Sequence, residues 1–411
     1  MAAWLDTLSS AERTYNPAWE KNWSDTWHFP RPDDPPQNSG IGVARSIFHW
    51  SDVVSEHATL RQFVPPDTFC FTILRDPIHR IISQVTDWRR LTQADLTTTK
   101  PLIRDCVLDS QQLPIKDFLV RHGHGTGKMV FDNFMTRALA ATRLGHAVLG
   151  VKKASDLLED ALFSLHTDYD FVGIAEEFDL SRNALCALLG LPPAGVSLIL
   201  NKSAPDGWTP DDTLTISDED IETYTGCDRI LYDAARALFT ARYRALGDAY
   251  DTYAFEHNHA TTLLSGLRGV YANGATHYSV RDPFYGSGFH GRDGKWTGAP
   301  AVWTGPQARS VLYIPTPEYM KLSLLLWVRG YAADGQRESL RISINGVPTP
   351  HRFESMQGYA DLVAVDTFTT APFARVEIEV GETATTGEPG TPHFDRRKRA
   401  ISFDAYGWRP V

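Results

Sequence analysis

Residues 69–83 combine an arginine, a proline and a serine at a spacing that suits phosphate binding. The apolar run 69–74 has the β-branched and aromatic content of a buried strand. Asp76 is a good N-cap and Pro77 a good first helical residue, so a helix is predicted to begin there. Arg75 would then lie at the carboxyl end of a strand and beside a helix N-terminus, where open α/β sheets bind ligands. Its guanidinium could bind two phosphate oxygens at once.

The full pattern, Arg75-Asp76-Pro77-x-x-Arg80-x-x-Ser83, resembles the 3′-phosphate-binding segment of sulfotransferases. The similarity is greatest to the carbohydrate sulfotransferases of the heparan and chondroitin type. It implies that Arg75 and Ser83, with Arg80 beside them, bind the co-substrate 3′-phosphoadenosine 5′-phosphosulfate (PAPS). The alternative is an ordinary strand–turn–helix in which Arg75 pairs with an acid. The downstream arginine and serine favour the phosphate site.

Weaker similarities to the same family follow in the family's order over residues 43–247. His49 stands where the family has the general base, which implies that it takes the proton of a sugar hydroxyl. Arg137, in an Asn-x-x-Thr-Arg segment, is a candidate for substrate binding or for a structural ion pair. Lys202 matches a loop near the cofactor and could offset sulfate charge. Glu176 could serve in chemistry or begin a helix.

The family also binds the 5′-phosphosulfate with a strand and a P-loop-like turn, and no such strand–loop–helix precedes Phe69. Two explanations are open: the start is truncated or misassigned, or the protein has lost half of its cofactor site. The glycine-rich run 122–129 does not supply the loop, because His122 and Met129 break the Walker spacing. That run is predicted to be a flexible loop.

The composition predicts a globular protein of net negative charge, in which an anionic cofactor must be bound by a local pocket of basic residues. The chain has 411 residues, enough for two or three domains, and 42% of them are hydrophobic. A net charge of −10 argues against general nucleic-acid or membrane-surface binding. Four cysteines without CxxC spacing, no signal peptide and no long apolar run favour a reduced, cytoplasmic protein without a membrane segment. His277 and His290 show no metal-ligand spacing, so no metal is expected.

The second half of the chain loses its helical periodicity and becomes a series of short β-rich runs. Residues 1–255 are assigned to an α/β domain, 256–275 to a linker and 276–411 to an antiparallel β-sandwich of the jelly-roll type. Turns such as Asn345-Gly346 separate the runs. The predicted strands are 310–314, 322–328, 340–344, 362–365, 375–380 and 400–403.

The opening of the second domain resembles sugar-binding-like sandwich modules found on bacterial glycosyltransferases. The resemblance implies that Trp296 and Trp303 stack on sugar rings, since an aromatic face suits the apolar face of a sugar. The alternative is that these rings seal the core of the sandwich.

These features predict a P-loop-like parallel sheet with helices, sulfotransferase-like but without its first strand and loop, followed by a β-sandwich. The expected function is transfer of a sulfuryl group from PAPS to a carbohydrate hydroxyl of a glycan or glycoconjugate. The alternative is a catalytically degenerate protein that binds nucleotide or glycan. Sulfuryl transfer is an in-line displacement like phosphoryl transfer, so it requires positive groups around the sulfur and a base for the acceptor alcohol.

Overall fold

The computed structural model describes residues 69–91, 96, 101–125, 127–144, 151–193, 216–290, 301–386 and 395–411. Within them the protein is a mixed α/β structure. Helices surround a short parallel strand pair in the first half, and antiparallel sheets form the second half.

The parallel pair consists of β1 (Phe71–Leu74) and β2 (Phe171–Ile174), with Leu74 opposite Ile174 at their carboxyl ends. All four residues of β2 are buried and apolar, as expected for a parallel strand covered on both faces. In the described residues, the predicted parallel sheet is present only as these two strands. The carboxyl ends of β1 and β2 therefore meet at one edge, directly before Arg75 and Ala175.

The first-half helices pack around this pair in two clusters. Side chains of the helices beside β2 share one hydrophobic core with both strands. This core includes Phe171 of β2 and Phe239 of a helix. A second cluster, around Phe118 and Phe131, joins the helix that follows β1 to its neighbours. The helices are α1 (Pro77–Arg89), α2 (Pro101–Gln112), α3 (Ile115–His122), α4 (Lys128–Phe131), α5 (Phe134–Leu144), α6 (Leu158–Thr167), α7 (Phe178–Leu189), α8 (Asp218–Arg242), α9 (Arg244–Ala249), α10 (Thr252–Asn258) and α11 (Ala260–Ser265).

The second half contains two antiparallel sheets that share one hydrophobic core. A five-stranded sheet has the order β10-β9-β13-β7-β5, and a seven-stranded sheet has the order β11-β12-β8-β16-β4-β3, with β6 on β16. A further pair is formed by β14 and β15, and a short helix, α12 (Gln336–Ser339), precedes β9. The strands are β3 (Val270–Ala272), β4 (Ala275–Ser279), β5 (Gly286–Ser287), β6 (Val302–Trp303), β7 (Arg309–Pro315), β8 (Met320–Tyr331), β9 (Arg341–Ile344), β10 (Val347–Thr349), β11 (Arg352–Glu354), β12 (Asp361–Thr369), β13 (Phe373–Glu379), β14 (Ala384–Thr386), β15 (Asp395–Arg399) and β16 (Ile401–Pro410).

The six predicted strands fall on β7, β8, β9, β12, β13 and β16, and their antiparallel pairing is confirmed. The Asn345-Gly346 turn joins β9 to β10, and both of its residues have the positive φ that this hairpin requires. The local turn chemistry thus specified this hairpin.

The predicted linker, residues 256–275, holds the end of α10, all of α11 and strand β3. Phe255 and Leu264 are buried in one cluster with Tyr313 and Phe373 of the five-stranded sheet. This interdomain cluster packs the helices of the first half directly against the second half.

Candidate functional site

The turn between β1 and α1 places Arg75 at the end of a strand and before a helix, as the sequence predicts. The Asp76 carboxylate accepts hydrogen bonds from the amides of Ile78 and His79, both at 3.0 Å, and Pro77 is the first helical residue. Because Asp76 occupies these amides, a phosphate at this turn would depend mainly on side-chain cations rather than on the helix N-terminus.

Glu176 joins this turn to the end of β2. Its Oε1 accepts a hydrogen bond of 3.0 Å from the Asp76 amide, and its Oε2 accepts one of 2.6 Å from the Tyr232 hydroxyl on α8. Burial and the bond to Glu176 raise the pKa of Tyr232, so this phenol is a donor at neutral pH. Glu176 thus connects β1, β2 and α8, an arrangement that neither of its two predicted roles, chemistry or a helix start, describes.

Two arginines at the start of α1, Arg75 and Arg80, are near enough for their charges to interact. Arg75 is half-buried and makes no hydrogen bond or ion pair within the described segments. Arg80 donates to the Val130 carbonyl at 2.6 Å and lies 4.6 Å over the ring of Phe134. Burial lowers the pKa of Arg80 to about 10, Asp228 opposes this shift, and the charge of Arg75 adds to it. The two positive charges therefore repel each other. The group formed by Arg75, Asp76, Arg80, Ser83 and Glu176 is called below the β1–α1 corner.

His79 lies on the exposed side of this corner. Its side chain is 62% exposed, and Nδ1 lies 3.7 Å from Asp76 Oδ1 and 3.9 Å from Glu176 Oε1. A protonated His79 would thus interact with both carboxylates. Ser83 follows Arg80 by three residues, which places the two on the same face of α1.

Arg137 forms a buried ion pair with Asp132, the kind of contact expected from the structural alternative for this residue. It is 1% exposed, and its Nε donates to the Asp132 carbonyl at 2.8 Å. Its remaining nitrogens donate to the Asp132 carboxylate at 2.7 Å and to the Lys152 carbonyl at 3.0 Å. Arg137 therefore ties the start of α5 to the segment before α6.

Asp228 is a buried carboxylate that the sequence did not single out for a role at this site. It accepts hydrogen bonds from the Thr136 amide and hydroxyl at 2.7 and 2.8 Å and from the Met135 amide at 3.1 Å, so it caps α5. Burial raises the pKa of Asp228, and Arg80 and these bonds oppose the shift. The available signal was its position on α8, because Leu231 and Tyr232 at i+3 and i+4 belong to the buried stripe.

Of the remaining predicted site residues, only Trp303 has a described position, and it does not lie at this corner. Trp303 lies in the second half on β6, where the Arg399 guanidinium lies 5.2 Å from its ring centroid. His49, Lys202 and Trp296 lie outside the described residues.

In the glycine-rich run after α3, the amides of Gly125, Gly127 and Lys128 are bonded within the run itself. The amides of Gly125 and Gly127 both donate to the His122 carbonyl, and that of Lys128 donates to the Gly125 carbonyl. These bonds close the turn on itself, so these amides cannot form a phosphate cradle. The local geometry therefore agrees with the absence of Walker spacing.

A cysteine, a histidine and an aspartate form an unpredicted chain of contacts between α2 and α3. His122 contacts the Cys106 thiol through Nδ1 at 3.4 Å and the Asp109 carboxylate through Nε2 at 2.7 Å. Cys106 is 1% exposed, and burial with two nearby acids raises its pKa to about 11. A buried, protonated thiol is a poor nucleophile, so this trio has a packing role.

Comparisons of the sequence with protein-family models and with curated proteins find no match. Among the residues with described positions, no group of three or more His, Cys, Asp or Glu side chains is arranged to hold a metal ion. None of the helices in these segments is long and apolar enough to cross a membrane. A functional assignment must therefore start from the geometry of the β1–α1 corner.

Proposed function

We propose that the protein transfers a sulfuryl group from PAPS to a carbohydrate hydroxyl and that the β1–α1 corner binds the 3′-phosphate. The supporting observation is the state of Arg75. This half-buried cation has no hydrogen-bond partner within the described segments and lies near a second cation, Arg80, at the carboxyl edge of the parallel pair. A bound phosphate would offset their repulsion, and its oxygens match the guanidinium fork.

The residues of the corner have different parts in this proposal. Arg75 forms the bidentate contact. Arg80 contributes mainly charge, because one of its nitrogens is already bound to the Val130 carbonyl and it packs on Phe134. Ser83 supplies a hydroxyl from the same helix face. The two strands are, in this proposal, part of the larger parallel sheet of a sulfotransferase-like fold.

The proposed reaction is a single displacement. The acceptor alcohol oxygen attacks sulfur, the bond from sulfur to the 5′-phosphate oxygen of PAPS breaks, and adenosine 3′,5′-bisphosphate leaves. His49 takes the proton of the alcohol, and Lys202 offsets charge on the transferring group. Both residues are assigned by the family resemblance. The free thiols at all four cysteines favour a reducing, cytoplasmic setting for this reaction.

Titration calorimetry with two nucleotides tests the phosphate site. Adenosine 3′,5′-bisphosphate and AMP differ by the 3′-phosphate, so their difference in affinity measures that group alone. We expect the bisphosphate to bind wild type on the order of tenfold or more tighter than AMP, as for a charge-assisted hydrogen-bonded group. Arg75→Ala should remove most of this difference.

The control is Arg268→Ala, which removes an exposed arginine between α11 and β3. It should leave both affinities unchanged. If the bisphosphate does not bind, or if Arg75→Ala preserves the difference between the nucleotides in a folded protein, the phosphate site is wrong. A sulfate-transfer assay with labelled PAPS and glycan acceptors then distinguishes an enzyme from a binding protein, since binding without transfer would support the degenerate alternative.

A further inference from the structure

Asn133, which directly precedes α5, hydrogen-bonds to the backbone in the middle of α8. Its Oδ1 accepts from the Cys227 and Asp228 amides at 2.8 and 3.2 Å. Its own amide donates to the Tyr224 carbonyl at 2.7 Å, and its Nδ2 donates to the Thr223 carbonyl at 3.4 Å. In a regular α-helix these two amides and two carbonyls would bond to one another, four residues apart. Asn133 thus inserts into the hydrogen-bond ladder of this turn of α8.

The inserted side chain is itself held in place. Asn133 is 4% exposed, and its Nδ2 also donates to Asp132 Oδ1 at 2.9 Å. Its carbonyl accepts the Arg137 amide at 3.0 Å, which is the first backbone bond of α5. Its φ of 48° lies in the left-handed region, which asparagine adopts more readily than most residues. Asn133 therefore enters α8 in one fixed orientation.

The contact between α5 and α8 is reciprocal. Asp228 on α8 accepts hydrogen bonds from two amides in the first turn of α5, at 2.7 and 3.1 Å. Asn133 caps the turn of α8 that carries Asp228, and Asp228 caps the helix that follows Asn133. Phe134, which follows Asn133, lies under the guanidinium of Arg80, and the charge of Asp228 opposes the lowering of the Arg80 pKa by burial. This turn of α8 therefore acts on one cation of the β1–α1 corner.

The same turn of α8 is connected to the other cation through side chains. Tyr232 follows Asp228 by four residues, so the two lie on one face of the helix. The Tyr232 hydroxyl donates to Glu176 at 2.6 Å, and Glu176 accepts from the amide of the residue after Arg75. A shift of α8 at the inserted turn would move both Asp228 and Tyr232.

We infer that Asn133 is a positioning residue for the β1–α1 corner: it fixes the turn of α8 that places Asp228 and Tyr232, and so sets how Arg75 and Arg80 meet a phosphate. This inference rests on the proposed function. A continuous helix would satisfy the same four backbone groups without Asn133, so hydrogen bonding within α8 does not require the insertion. Insertions of this kind are where helices bend, and they set the direction of the segment beyond.

Asn133→Gly tests the inference, because glycine keeps the positive φ and removes only the inserted side chain. Titration calorimetry should show roughly 2- to 30-fold weaker binding of adenosine 3′,5′-bisphosphate, the usual range for a residue that acts on a site from outside it. AMP, which lacks the 3′-phosphate, should bind nearly as it does to wild type. Wild-type affinity for both nucleotides in a folded Asn133→Gly protein would overturn the inference while leaving the phosphate site intact.

The matched control is Asn273→Gly, at an exposed position that has a φ of 51° in the turn between β3 and β4. It makes the same substitution in the same backbone conformation and should bind both nucleotides like wild type. An equal loss in the two variants would contradict the inference.

A double-mutant cycle with Glu176→Ala distinguishes positioning from general destabilisation. If Asn133 acts partly through Tyr232 and Glu176, the two losses of bisphosphate affinity should be less than additive. Fully additive losses would overturn the inference. If wild type does not prefer the bisphosphate to AMP, the proposed function fails, and this inference fails with it.

A measurement on wild type covers the case in which Asn133→Gly does not fold. Because coupling between two sites is reciprocal, occupancy of the corner should steady the inserted turn. Hydrogen exchange of the Cys227 and Asp228 amides should be slower with saturating bisphosphate than with saturating AMP. Equal exchange rates would show that the turn and the corner are not coupled.

Discussion

Glu176 and Asp76, which are 100 residues apart in the sequence, are joined by a hydrogen bond of 3.0 Å from the Asp76 amide to Glu176 Oε1. The bond connects the end of β2 to the turn that carries Arg75. Since the Tyr232 hydroxyl holds the other carboxylate oxygen at 2.6 Å, the position of this turn depends on three separate segments of the chain.

Glu176→Ala is therefore expected to loosen the β1–α1 corner. It should lower the free energy of unfolding by roughly 1–3 kcal/mol, because the Asp76 amide and the Tyr232 hydroxyl both lose their acceptor. It should also weaken binding of adenosine 3′,5′-bisphosphate, measured by calorimetry. Glu159→Ala, at an exposed position on α6, is the control. Wild-type stability and affinity in Glu176→Ala would exclude a positioning role.

Replacing Arg137 should affect folding rather than substrate affinity. Arg137→Ala leaves the largely buried Asp132 carboxylate without its cation, so the free energy of unfolding should fall by about 3–5 kcal/mol. Arg137→Lys should recover only part of this, since lysine cannot reproduce the guanidinium fork. Urea denaturation measures both. If both variants keep wild-type stability but change the KM for an acceptor, the substrate-binding alternative is correct.

Cys106 should be unreactive in the native protein. With its pKa at about 11 and its side chain buried, almost no thiolate is accessible at neutral pH. Labelling with a thiol reagent followed by peptide mapping should find Cys106 unmodified in buffer and all four cysteines modified in denaturant. Rapid native labelling of Cys106 would show that the contact with His122 activates the thiol, contrary to a packing role.

Acid should weaken the ion pairs that Glu354 makes with Arg352 and Arg409. The Arg409 guanidinium holds the pKa of Glu354 below its usual value, and Arg352 contributes in the same direction. A carboxylate with a lowered folded-state pKa stabilises the protein above its unfolded pKa, and that contribution is lost as the pH falls through the folded one.

Arg409→Gln should therefore lower the melting temperature at pH 7 and have a smaller effect at about pH 2.5, because protonation of Glu354 weakens its pairing with Arg409. The difference at pH 7 should correspond to about 0.2–1 kcal/mol, because the pair is partly exposed. Thermal melts across this range give the result. A destabilisation that is equal at both pH values would mean that Arg409 acts through packing alone.

Local sequence signals predicted the elements that depend on neighbouring residues. Asp76 and Pro77 specified the start of α1, and Asn345-Gly346 specified the hairpin between β9 and β10. Alternating β-rich runs located the main strands of the two antiparallel sheets. In each case the deciding interaction is a cap, a turn or a strand face, which a short window of sequence contains.

The partners of the site residues were not predictable in the same way. Glu176 could be assigned to the end of β2, but its bonds to Asp76 and Tyr232 depend on how three distant segments pack. The bonds of Asp228 to the start of α5 and the contact of Cys106 with His122 likewise follow from helix packing. No local pattern encodes such contacts, and the sequence left Arg137 with two roles, substrate binding and a structural ion pair.

The position of Phe71 has a thermodynamic consequence. This β1 residue packs against both the core of the parallel pair and the interdomain cluster that contains Phe255 and Tyr313. The strand that ends directly before Arg75 is thus supported by both halves of the protein. A ligand that binds the β1–α1 corner only in its folded state stabilises every part of the protein that unfolds together with the corner. An anion bound by Arg75 would therefore raise the temperature at which the distant sheets melt, so calorimetric melting of the second half would report on occupancy of the first.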